Sequence, residues 1–145
     1  MKDTELRKKA VKVSQGALEA IYGAGSGHPG GSLSAADLFT YLYFEEMNVS
    51  PTLADSADRD RFVLSKGHTA PGLYSVLAEV GYIPRKDLRT LRHIGSYLQG
   101  HPDMKHHPGI DMLTGSLGPG ISAAVGLVLA ATMQKRDYPH YGQGG

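Results

Sequence analysis

A chain of 145 residues suits one domain that buries roughly 70% of its unfolded surface, and 41% hydrophobic with 20% charged side chains is ordinary globular composition, which excludes disordered and fibrous classes. Fifteen Lys and Arg against fourteen Asp and Glu leave a net charge of +1, so neither nucleic acid nor an anionic membrane is an expected partner, and zero cysteines exclude disulfide frameworks, thiolate nucleophiles and zinc–thiolate sites. Charges interrupt the first twenty residues and no apolar run approaches roughly 18, so neither a signal peptide nor a membrane span is expected and the cytoplasm is the default location.

Leu6, Ala10, Val13, Ala17, Ala20 and Ile21 recur at helical spacing, which predicts an amphipathic first helix with Asp3 or Thr4 as cap and Lys2, Arg7, Lys8, Lys9 and Lys12 on its solvated side. It breaks in Gly23 to Gly31, where five glycines in nine residues permit close backbone approach around His28. Ser34 with Asp37 reads as a capping pair, and Leu38, Phe39, Tyr41, Leu42 and Phe44 are apolar nearly all round, which predicts a buried second helix. After a polar loop from Asn48 to Arg61, Phe62-Val63-Leu64 is the one convincing strand, ending at Ser65-Lys66-Gly67-His68.

Pro71 suits the first turn of a third helix, Leu73, Val76, Leu77 and Val80 line one face, and Gly81 ends it. A short helix is expected from Pro84 to Arg92, then an irregular stretch from Gly95 to Gly109 that holds His101, His106 and His107. Thr114 to Gly120 is a glycine loop opening a helix from Ile121 to about Lys135, whose amino terminus suits an anion or a polar cofactor edge. Residues 137–145 have no apolar run and read as a flexible tail after a domain spanning 1–136.

His28, His68 and His101 each follow a glycine in or beside a loop, a setting in which imidazoles transfer protons near neutral pH while the backbone admits a substrate. Four segments carry a resemblance: Gly25-Ser26-Gly27-His28-Pro29-Gly30-Gly31-Ser32-Leu33, Leu64-Ser65-Lys66-Gly67-His68-Thr69-Ala70-Pro71, Leu98-Gln99-Gly100-His101-Pro102-Asp103 and Thr114-Gly115-Ser116-Leu117-Gly118. In this order, across residues 5 to 136, they resemble the transketolase family, in particular the amino-terminal subunits of two-chain bacterial and archaeal transketolases. The Ser65-Lys66-Gly67-His68 form argues against the related deoxyxylulose phosphate synthases.

The resemblance implies an α/β thiamine diphosphate-binding fold, here predominantly helical with few strands. It also implies transfer of a two-carbon ketol unit from a ketose phosphate to an aldose phosphate. The cofactor supplies carbanion stabilisation and the protein supplies orientation and proton transfer. His28, His68 and His101 would be the catalytic histidines, His28 and His101 toward the substrate and His68 toward the cofactor diphosphate. Gly115, Ser116, Leu117 and Gly118 would meet the cofactor.

Two departures stand out. Pro119 replaces the family's usual glutamine after Gly118, and the chain ends at Gly145 without the Gly-Asp-Gly motif and later asparagine that hold the family's magnesium or calcium ion. A homo-oligomer or a complementary transketolase subunit is therefore the expected partner, with the apolar helix from Ile121 to Met133 left partly uncovered. Two other readings stand beside this one. The chain can be a non-catalytic binding module or relic, or His101, Asp103, His106 and His107 can form a metal site.

Overall fold

The computed structural model describes residues 1–105, 107, 109–112, 115–136 and 139–143, and only the backbone of residue 140. In chain order the elements are α1 (Asp3–Ala24), α2 (Pro29–Tyr41), β1 (Arg61–Leu64), α3 (Ala70–Val80), α4 (Pro119–Met133) and β2 (His140–Gln143). A π-helical turn at Leu42–Glu46 prolongs α2, and 3-10 turns occupy Pro51–Leu53, Gly67–Thr69 and Arg85–Thr90. Among the described residues no helix is long and apolar enough to cross a membrane.

The predominantly helical α/β expectation holds, but the expected single strand has a partner. β1 pairs with β2 in parallel, Arg61 opposite His140 through Leu64 opposite Gln143. The partner lies in the tail that composition marked as turn-rich. Its pairing comes from tertiary packing: Arg61 N–H donates to the Pro139 carbonyl, Ser65 N–H to the Gln143 carbonyl at 2.8 Å, and Tyr141 packs on the core. Gly142 has no side chain, so Ala124 of α4 can lie 3.3 Å from where its Cβ would stand.

The helices α1, α2 and α3 form the body. α1 buries Val13, Gly16, Ala17 and Ala20, one face of a 3.6-residue period, against α3. Gly16 admits the Ser75 hydroxyl, which donates to the Val13 carbonyl at 2.6 Å. Phe39 is fully buried beneath α3 and meets Phe62 edge-on, with ring centroids 5.8 Å apart.

In α1 and α2, two helix starts and one burial pattern differ from the sequence reading. Lys2 is the α1 N-cap, with no side-chain cap bond, while Asp3 and Glu5 sit in the first turn, where the helix dipole favours carboxylates. α2 starts five residues early, at Pro29, because proline's fixed φ suits a first helical turn; Ser34 is inside the helix and donates to the Gly31 carbonyl. Leu38 and Tyr41 face outward on α2, so this helix is not buried all round. α3 does end at Gly81, at φ 103°.

A buried ion pair ties the 107–112 stretch to β1. The Asp111 carboxylate pairs with Arg59 and Arg61 and accepts the Phe62 N–H at 2.8 Å. α4 then begins at Pro119, after Gly118 at φ 95°, and crosses so close to the end of β1 that a Cβ on Gly120 would lie 2.6 Å from Ser65 Cα.

Candidate active site

Three separate elements deliver the three glycine-flanked histidines to one place. His28 is the N-cap of α2, His68 lies in the 3-10 turn between β1 and α3, and His101 follows Gly100 in the irregular stretch. A single cleft is lined by Ser26, Gly27, His28, His68, Pro71, Leu91, Arg92, Gly100 and His101. The His28 and His68 rings meet edge-on, with centroids 5.1 Å apart. Gly31 makes this meeting possible: a Cβ there would stand 2.7 Å from Thr69 Cγ2 and 3.6 Å from His68 Nε2.

The slot itself holds about 20 Å³, room for roughly one water. Outside it, Arg92, Gln99, Gly100, His101 and Asp103 line an open recess of about 440 Å³. The recess, at the mouth of the slot, has room for a sugar-sized molecule. A separate groove of about 550 Å³ runs along α1 and α2, lined by Leu6, Ala10, Val11 and Leu18 with Asp3, Arg7 and Asp37. It gathers neither histidines nor glycine loops.

Desolvation, followed by the neighbouring His28, Lys66 and His101 charges, pushes the His68 pKa below its usual value. His68 is thus a neutral imidazole at pH 7, with one ring N–H to donate and one nitrogen to accept.

Gly115, Ser116, Leu117 and Gly118 do not line this cleft. They are exposed at the amino terminus of α4, which docks on Ser65, three residues before His68. The helix expected from Ile121 begins two residues earlier, with Pro119 at its first position, where proline's fixed φ is suited. The Ser65 hydroxyl at this junction is buried and, among the described residues, has no hydrogen-bond partner. An exposed glycine loop at a helix amino terminus, beside this buried hydroxyl, fits the polar edge of a cofactor such as thiamine diphosphate.

The metal reading fares differently. His106 lies outside the described residues. His107 is 4% exposed, stacked on Tyr97 at 6.0 Å, with Nδ1 accepting the Gly109 N–H, whereas His101 is exposed at the cleft. Among the described residues no three potential ligands come together. Burial pushes the His107 pKa down to about 4.

Sequence reasoning missed Arg92 and Ser26, which line the same cleft as the histidines. Arg92 Nη1 donates to Ser26 Oγ at 3.1 Å across 66 positions of chain, a proximity that no local pattern announces.

Residues 6–144 match the family described as "Transketolase, thiamine diphosphate binding domain". The chain is 47% identical over 129 residues to the 6-deoxy-6-sulfo-D-fructose transketolase subunit of Clostridium sp. (strain MSTE9), covering 89% of this chain and 47% of that protein. It is 46% identical over 124 residues to an apulose-4-phosphate transketolase subunit of Phocaeicola vulgatus, covering 86% of this chain and 44% of that protein. The chain thus spans less than half the length of these two relatives. Among solved structures, the transketolase of Campylobacter jejuni superposes with a TM-score of 0.92 at 29% identity, covering 100% of this chain and 24% of that one.

Proposed function

This chain belongs to the transketolase family, within its thiamine diphosphate binding domain, and on that premise we propose that it supplies the histidine side of a ketol-transfer site completed by another chain. The observation that carries this reading is the convergence of His28, His68 and His101 from three separate loops on one slot too narrow to enclose a ligand by itself.

His28 and His101, exposed at the mouth, would contact the hydroxyl and donor oxygens of a sugar phosphate and move protons at those atoms. His68, held neutral, would give its one ring N–H to a cofactor diphosphate oxygen without adding a proton to it. The exposed backbone of Gly115 to Gly118 would hold the cofactor's polar edge. Thiamine diphosphate, when bound, supplies the carbanion stabilisation that ketol transfer needs. A complementary transketolase subunit or a second copy of this chain would close the other side, against the uncovered face of α4.

The test is calorimetric titration with thiamine diphosphate and magnesium, with and without the complementary subunit of a two-chain relative. A ketol-transfer assay with xylulose 5-phosphate and ribose 5-phosphate runs alongside. Saturable binding is expected in the mixture, with turnover falling about 10²-fold or more in His28→Ala or His101→Ala. Absence of binding and turnover in every mixture would support the non-catalytic module instead.

A further inference from the structure

Arg92 is an exposed arginine at φ 63°, a left-handed backbone that side chains with a Cβ rarely adopt and that costs of order 1 kcal/mol. The surrounding structure fixes it there. Its N–H donates to the Leu98 carbonyl at 2.9 Å, its Nη1 donates to Ser26 Oγ, and a Cβ on Gly100 would stand 2.8 Å from its Nε. The strained backbone turns the guanidinium back over the loop that carries His101.

Among the described residues the side chain of this cation has one hydrogen-bond partner, the neutral Ser26 hydroxyl. Among the described residues Arg92 takes part in no ion pair, in contrast with Arg59, Arg61 and Arg85, each of which meets a carboxylate. The other titratable groups of the slot are the three histidines, none of them able to neutralise it. Asp103 lines the open recess outside. A planar fork of donors held over a sugar-sized recess is the geometry that recognises a tetrahedral oxyanion in two-pronged fashion.

We propose that Arg92, tethered to Ser26 in the cleft that also holds His28, His68 and His101, is the anion-recognising residue of this cleft and receives a phosphate group at its mouth. This rests on the reading of the cleft as a sugar phosphate and cofactor site, and it names the residue that selects phosphorylated ligands. The phosphate belongs either to the sugar or to the cofactor; the chemistry at Arg92 is the same for both.

Ribose 5-phosphate, inorganic pyrophosphate and ribose are titrated separately into the full chain, following the imidazole proton resonances of His28, His68 and His101. A saturable shift is expected with at least one of the phosphates and none with ribose. Affinity falls roughly tenfold or more in Arg92→Gln, as expected for loss of a charge-assisted pair, and less in Arg92→Lys. Arg92→Gly removes the guanidinium and tolerates φ 63°, so it melts no lower than the parent and still loses binding. Response to ribose 5-phosphate assigns the site to substrate, and response to pyrophosphate assigns it to cofactor. Undiminished affinity in Arg92→Gln and Arg92→Gly, or no response of the parent chain to either phosphate, overturns the proposal. Because the readout needs no turnover, phosphate binding through Arg92 without any thiamine diphosphate binding would sink the functional reading and leave this one standing.

Discussion

α3 and α4 are helices of similar apolar content with opposite fates. α3 buries every residue from Ala70 to Leu77, enclosed by α1, α2 and the loop after β1. α4 buries only Gly120 and Ala131 and leaves Ile121, Val125, Val128, Leu129 and Met133 open, the last at 84% exposure. The first helix completes a core; the second presents half of one. An apolar face of this kind excludes water only when another molecule or another segment covers it.

That contrast can be broken by paired truncations. Leu77→Ala, at a site with no exposure, should cost about 2–5 kcal/mol in chemical denaturation, whereas Leu129→Ala, 59% exposed, should change monomer stability by no more than about 0.5 kcal/mol. If sedimentation shows that Leu129→Ala shifts assembly while leaving the melt unchanged, the face is an interface. An equal loss in both variants would mean that α4 is packed in solution.

The junction between the two regions is sharpened by pH. His107 sits in the stretch leading from the body to α4, and its depressed pKa means that the unfolded chain, titrating near 6.5, binds a proton the folded chain refuses. Stability should therefore be full above about pH 6.5 and decline as pH falls toward 4, by up to roughly 3 kcal/mol. His107→Phe, which keeps a flat ring against Tyr97, should remove this dependence; an unchanged pH profile in the variant would refute the assignment.

The smallest effect concerns the hinge itself. Gly118→Ala meets no neighbour but forces a Cβ onto φ 95°, so it should cost about 1 kcal/mol. No measurable loss would show that the loop relaxes freely at this point.

Much of the body was legible locally. The α1 face, Pro71 inside the start of α3 and Gly81 after its end are signals carried by periodicity and by the special backbones of proline and glycine. The same logic accounts for Pro119 at the first turn of α4, although the sequence reading began that helix at Ile121. It failed at α2, where the proline after His28 outranked the Ser34 and Asp37 pair, and at β2, whose pairing depends on β1 far away in the chain.

The candidate site divides along the same line. The sequence by itself singled out the candidate residues, the glycine-flanked His28, His68 and His101, because glycine and imidazole act through their own backbone freedom and titration. Only the tertiary structure decided that these three share a slot, that Arg92 lines it from a left-handed backbone, and that His107 turns into the core instead of toward a metal. The physical reason is range. Propensities, caps and titration act within a few residues, whereas the cleft is made by contacts such as Gly31 on Thr69 and Arg92 on Ser26, which exist only after the helices have packed.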